Sequence, residues 1–218
     1  MCCVAGGVVT TQVQLGVRLE VDHCPDASDR LFVQMSSGAY AECAAMMLPQ
    51  SLEEWRADNR TARKRADRAY RRGYVAMELY RELYADDIHA INTSAAHRQG
   101  RPMAPSYLER TEYSPLPEYP CARHATRITG VWAEDGSLVA YLVMLRSGDL
   151  ALVSQILGHA DHLPREVMFL LFQEALRREV SADPHGVVVY NRWDSGSDGL
   201  RTNKELLGFE PMPVGWLP

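Results

Sequence analysis

Residues 125–157 read ATRITGVWAEDGSLVAYLVMLRSGDLALVSQIL, and the reading of this stretch decides the fold class. Three β-rich runs, 125–133, 137–146 and 150–157, are separated by Asp135-Gly136 and by Ser147-Gly148-Asp149. Glycine supplies the positive φ of a tight hairpin and Asp the side chain that closes a turn, so the stretch predicts an antiparallel meander of three strands. Downstream, Pro164 suits the first turn of a helix. Val167, Leu170, Leu171, Ala175 and Leu176 then recur at helical intervals up to Arg177-Arg178. Residues 186–190 form a nearly unbroken apolar run, the mark of a strand buried on both faces. A polar loop, 191–199, leads to a helix over about 200–207 that Gly208 stops, and 212–216 suits a last strand.

Upstream, Ser51 is an N-cap with Glu53 and Glu54 in the first turn, where the helix dipole favours acids. That helix is expected to run to Arg72 and end at Gly73, ahead of an alternating strand over 74–79. Residues 81–95 carry Leu83, Ile88 and Ile91 at helical spacing. A polar segment (97–102), a short helical piece (106–110) and a Pro-rich surface connection (115–120) follow. The first fifty residues read as short extended pieces: 11–21, 31–35, and 39–48, which suits strand or helix. The organisation expected is an N-terminal extension (1–50) packed on or completing one large domain (51–218).

The chain has 218 residues, 46% hydrophobic and 23% charged. Those values describe an ordinary globular protein rather than a disordered or fibrous one. A net charge of −5 argues against a general binder of duplex DNA, which needs a broad excess of Lys and Arg. No window approaches the roughly 18 uncharged apolar residues of a spanning helix. The apolar start, residues 1–9, lacks the basic lead-in of a secretory signal. A cytoplasmic protein with no membrane partner is expected. Cys2, Cys3, Cys24, Cys43 and Cys121 are odd in number and form no C-x-x-C pair, so they read as thiols in a reducing compartment.

From Tyr74 the order is strand, helix, short helix, three-strand meander, long helix, strand, helix, strand, which resembles the GNAT acyltransferase fold. Three segments narrow the resemblance: the basic run 60–67, Arg98-Gln99-Gly100-Arg101-Pro102, and Lys204-Glu205-Leu206-Leu207-Gly208-Phe209. Together they look like the FemAB-like branch, although Asn203 stands where an aromatic commonly precedes the lysine. The resemblance covers residues 51–218. It implies an α/β fold with a mixed central sheet, the meander within it and helices flanking it. It also implies N-acyl transfer to an amine of a small-molecule or peptide-like acceptor.

Two acyl donors fit, and neither is a permanently bound cofactor. An acyl-CoA enzyme of this fold carries Q/R-x-x-G-x-G/A directly before a helix, so that backbone N–H groups grip a pyrophosphate. Residues 155–160 match that pattern formally. However, Asp161-His162-Leu163-Pro164 intervene before the helix, and Asp161 brings a carboxylate to the phosphate site. The FemAB-like resemblance implies aminoacyl-tRNA instead. Arg56, Arg60, Lys64, Arg68 and Arg72 recur every fourth residue, joined by Arg63 and Arg71, and form the densest positive patch of the chain. Arg60, Arg63, Lys64 and Arg68 are the candidates for holding a tRNA acceptor end.

In this fold the chemistry lies where the fourth and fifth strands part. The residues leaving those strands are Gln155, His159, Asp161 and His162 on one side and Tyr190, Asn191, Arg192 and Asp194 on the other. His159 and His162 suit a base, Tyr190 a proton donor to the leaving group, and Asn191 an oxyanion donor. By resemblance, Lys204 stabilises the tetrahedral intermediate or a donor phosphate. Arg98, Gln99, Arg101, Gln155 and Asp194 are the candidate substrate-binding residues. His159, His162 and Asp161 also invite a metal, but three ligands on one short loop strain to share an ion, and none is expected. Trp132, Trp193 and Trp216 read as core or pocket walls. A domain of this kind that binds RNA or protein without catalysis is the alternative from another class.

Overall fold

The computed structural model describes residues 9–15, 17–23, 42–116, 124–213 and 215–217, with side chains for 42–116 and 124–213. A seven-stranded sheet runs through the molecule. Its strands are β3 (Glu42–Met47), β4 (Val75–Glu78), β7 (His124–Trp132), β8 (Leu138–Ser147), β9 (Leu150–Gly158), β10 (Val187–Arg192) and β11 (Glu210–Pro213), in the order β11-β3-β10-β9-β8-β7-β4. Every neighbouring pair is antiparallel except β9 and β10, which are parallel. The meander β7-β8-β9 stands as its turns predicted. The arrangement is the one expected: a mixed central sheet that contains the meander and is flanked by helices. A small second sheet joins β1 (Val9–Leu15), β2 (Val17–His23) and β12 (Gly215–Leu217). The run 31–35, most of the Pro-rich connection, and Cys2, Cys3, Cys24 and Cys121 lie outside the described residues.

One face of the main sheet carries α1 (Leu52–Asp58), α2 (Arg60–Arg71) and α5 (Val167–Ala182). Ala62, Ala66 and Ala69 of α2 are fully buried, and these small side chains let α2 lie close against α5. The other face carries α3 (Ala85–Thr93), whose Ile88 and Ile91 pack on Ile128, Tyr141 and Leu157. Alternation along β8 sends Ala140, Leu142 and Met144 to the first face and Tyr141 and Val143 to the second. Both faces are covered, which is why the meander is so uniformly apolar.

Several boundaries differ from the sequence reading. The helix expected over 51–72 is two helices, broken at Asn59, whose side-chain amide donates to Trp55 O at 3.0 Å. An Asn side chain that bonds the preceding turn competes with helix continuation. The break turns α1 so that Trp55 Nε1 reaches Leu207 O, 2.9 Å away in the core. Pro164 sits inside a 3-10 turn (Ala160–Arg165) rather than opening α5. Helix α5 starts later, at Val167, behind a left-handed Glu166, and runs past Arg178 to Ala182. Residues 81–95 divide into a 3-10 turn (Arg81–Leu83) and α3, and the short helical piece expected over 106–110 is α4 (Pro105–Leu108). The ambiguous run 39–48 contributes β3, a strand between β10 and β11. Its Cys43 is buried, and burial pushes the thiol up to about 11. Gly186, at φ +108, immediately precedes β10, where any Cβ would collide with the Asp149 carbonyl.

Candidate active site

The parallel pair β9–β10 is short. Val187, Val188 and Val189 match Leu150, Ala151 and Leu152, and the ladder stops there although both strands continue. The strands part, and a cleft of about 470 Å³ opens between them. Ile156, Leu157 and Gly158 of β9 form one wall and Tyr190 of β10 another; Met168 and Phe169 of α5 and α6 (Asp198–Leu206) close the sides. A Cβ at Gly158 would meet Met168 Sδ and Leu163 Cδ2, so glycine there keeps the end of the wall open.

The remaining side is a miniature hairpin, β5 (His97–Arg98) and β6 (Arg101–Pro102). Gln99 and Gly100 between them have φ of 53 and 75, positive at both central positions as a type I′ turn requires. The hairpin presents His97, Arg98 and Gln99 to the cleft, while Arg101 is exposed and outside the lining. Arg98 is also a brace. It donates to Gly158 O at 2.9 Å, Ile91 O at 2.8 Å and Ser94 Oγ at 2.9 Å, which ties the end of β9 to the end of α3. Its buried Nε has no partner among the described residues. Burial lowers the guanidinium's pKa.

Tyr190 lines the cleft, and its ring packs edge-on against Phe209 with centroids 5.7 Å apart. Burial raises its hydroxyl pKa, so the proton stays in place at neutral pH. Behind the ring lies Lys204, with Nζ 5.4 Å from the centroid. Lys204 is fully buried and donates to Arg192 O at 2.5 Å and Ser195 Oγ at 3.1 Å. It thereby pins the loop that leads into α6. Asn191, at φ +58, is exposed, and its Oδ1 accepts from Arg192 N at 2.7 Å. Asp194 is exposed and paired with Arg192.

Burial pulls the Lys204 ammonium from 10.5 down to about 8, against a smaller opposing pull from Asp194. The unfolded chain keeps the ordinary lysine value. Between those two values it therefore holds more protons than the folded chain, and this group makes stability rise with pH across the window. The Tm difference between wild type and Lys204→Met is expected to shift in favour of wild type from about pH 8 to about pH 10. A difference that stays flat in thermal melts would place the ammonium in water.

Other candidates lie elsewhere. A β-bulge leaves Ser154 unmatched, because Val153 faces Met144 while Gln155 faces Val143. The extra residue sends Gln155 to the α3 face, where it bonds Tyr107. His159 and His162 stand beside each other past β9, and His162 Nδ1 lies 2.8 Å from the Tyr74 hydroxyl. Neither histidine lines the cleft; His97 does. Leu200 and Asn203 also line it; no motif pointed to Leu200, and Asn203 stood out only as a departure from the motif around Lys204. Both sit on one side of α6, a helical spacing visible in sequence only once the cleft is known.

On α2, Arg60 and Lys64 are exposed and Arg63 half-buried. Arg68 is engaged with Glu166, toward which Arg65 and Arg72 also point at 3.8 and 3.6 Å. These guanidinium groups hold the Glu166 carboxyl below its usual range, the Arg68 hydrogen bond contributing most. Arg56, on α1, pairs with Asp67. The stripe of five is thus divided by the break at Asn59. Arg65 also stacks 4.9 Å from the Phe169 ring, which carries the basic surface to the cleft wall.

No protein-family model and no curated protein matches the sequence. Among solved structures, the C-terminal domain of a putative lysylphosphatidylglycerol synthetase from Agrobacterium fabrum is 15% identical over 81% of this chain and 58% of that one, with a TM-score of 0.49. A tandem GNAT protein from the clavulanic acid biosynthesis pathway is 16% identical over 90% of this chain and 61% of that one, at 0.46. A GCN5-related N-acetyltransferase from Kribbella flavida is 16% identical over 65% and 48%, at 0.43. The chain spans less than two thirds of each of these structures. No helix among the described residues is long and apolar enough to cross a membrane.

Proposed function

We propose that the protein is an N-acyltransferase that takes an aminoacyl group from aminoacyl-tRNA and passes it to an amine of a small-molecule or peptide-like acceptor. The observation that carries the transferase reading is the cleft between the parted strands. Beyond Leu152 the β10-facing edge of β9 has no ladder partner from β10, so an acyl donor can lie along it and use its main chain. Acyl transfer needs a neutral amine, a stabilised oxyanion and a protonated leaving group. His97 at the cleft is the base. The amide of Asn203 and the positive charge of Arg98, both in the lining, stabilise the developing oxyanion. Tyr190 gives its proton to the leaving oxygen, and Lys204 behind the ring favours the phenolate that results.

Two observations favour tRNA as donor. Residues 159–166 separate β9 from α5, where a pyrophosphate loop would run straight into the helix, and Glu166 sets a carboxylate at the start of α5. The exposed base of α2 suits an RNA backbone and leads to the cleft through Arg65. Acyl-CoA is the second reading. It rests on the convergence of Arg65, Arg68 and Arg72 beside α5, where an anion fits once Glu166 withdraws.

Radiolabelled aminoacyl-tRNAs and acetyl-CoA, each scored for donor breakdown or transfer, separate the two. Reversing charge at Arg60, Arg63 and Lys64 is expected to weaken tRNA binding and to lower the salt dependence by about one unit of slope per lost phosphate contact. Arg68 is left out of that variant because it holds Glu166. Filter binding across a salt series checks the result. Wild type without salt-sensitive tRNA binding sinks the tRNA reading, and a thermal shift near 2.7 kcal/mol at a hundredfold excess of acetyl-CoA over its Kd promotes the second.

A further inference from the structure

We infer that the cleft is built for the uncharged, apolar chain of an acyl group, several carbons long, and rejects a chain that ends in an ammonium. The inference names the substrate class of the proposed transferase and rests on that reading. The inner surface is made by Ile156 and Leu157, Met168 and Phe169, and Leu200 and Leu207, from three different elements. Among the described residues no carboxylate lines it. The acids near its rim are turned away: Asp198 is 94% exposed and pairs with Arg201 at 2.6 Å, Glu166 is held by Arg68, and Asp194 by Arg192. The fixed charges at the cleft are cations, Arg98 in the lining and Lys204 behind Tyr190.

An ammonium entering this space loses its water, finds no counter-charge and meets like charge. A methylene chain instead gains about fourfold in affinity for each CH2 buried. The size agrees. About 470 Å³ is within the range of small-molecule sites and far exceeds what an acetyl methyl fills. The side chains of apolar aminoacyl groups on tRNA and the chains of medium-chain acyl groups on CoA share this chemistry, and lysyl or arginyl side chains lack it.

The test measures binding by calorimetry with a matched pair of probes, octanamide and 8-aminooctanamide, which differ by a terminal ammonium. Octanamide is expected to bind at least tenfold tighter to the wild-type chain. Leu200→Asp and, independently, Leu163→Asp place a carboxylate at the cleft and are expected to shrink that ratio at least threefold. Both tolerate the change: Leu200 is in the first turn of α6, where acids are favoured, and Leu163 is 41% exposed. Equal or tighter binding of the aminoamide to wild type, or no binding of either probe, overturns the inference. In parallel, turnover is scored with leucyl-, phenylalanyl- and lysyl-tRNA and with acetyl- and octanoyl-CoA. Probe discrimination without turnover of any donor removes the transferase reading and leaves the apolar cleft standing. Equal turnover of lysyl and leucyl donors removes the inference and keeps the transferase.

Discussion

Glu179→Leu is expected to destabilise the protein by about 3–5 kcal/mol, because it strips the partly buried Arg127 of its counter-charge and the buried Arg146 of one of its two. Glu179 is fully buried on α5. Its two carboxylate oxygens each lie 3.0 Å from Arg127, and Arg146, itself 1% exposed, approaches at 3.6 Å. Arg146 keeps Asp183 at 3.0 Å and the carbonyls of Gly148 and His185 at 3.0 and 2.6 Å, so the fold is strained rather than abolished. At roughly 2–4 °C per kcal/mol for a chain of this size, Tm falls by about 6–20 °C. Glu179→Leu combined with Arg127→Met removes the pair together and is expected to recover most of that loss, since an apolar replacement leaves less charge stranded. Chemical unfolding followed by circular dichroism measures both variants. A single-variant loss under about 1 kcal/mol would mean that water reaches these charges. The network lies at the opposite end of α5 from the cleft, so turnover by the folded fraction should not change.

The second large effect is on turnover. Tyr190→Phe is expected to lower kcat by about 10²–10⁴, the usual worth of a positioned proton donor. KM should move little, because the ring and its contact with Phe209 remain. The hydroxyl has no hydrogen-bond partner among the described residues, and burial keeps it protonated, which leaves it free to serve the leaving group. A donor whose leaving group needs no proton should restore much of the lost rate. If both kcat and the preference for leaving groups survive the substitution, Tyr190 is a wall and the proton comes from elsewhere.

What could be read from the residues divides along a physical line. Turn chemistry and periodicity act over a few neighbours, and they placed the meander 125–157, the buried strand at 186–190, the Ser51 cap and the stops at Gly73 and Gly208. The family resemblance and the strand ends it points to marked Arg98, Gln99 and Tyr190, all of which line the cleft. Local reading overran at Asn59, where a single side-chain bond to Trp55 ends α1, and at Pro164, which suits a 3-10 turn as well as an α-helical one. Gln155 shows the limit most clearly. Strict alternation puts it on the face of Ala151 and Val153, and one bulged residue, Ser154, sends it to the other.

Local patterns set most of the elements from Ser51 onward and their order, because hydrogen bonding within a turn, a helix or a hairpin is decided by residues close in the chain. Which strands became neighbours was settled by the folded chain as a whole: β3 lies between β10 and β11, far along the chain from both, through pairing that no local pattern encodes. It alone decided that the β9–β10 ladder would stop after three residues and open the cleft. It also set the state of Lys204, a polar helix residue in sequence that becomes a fully buried cation. Packing of Tyr190, Arg192 and Ser195 around that ammonium removes its water, and burial of this kind depends on segments that meet only when the whole chain has folded.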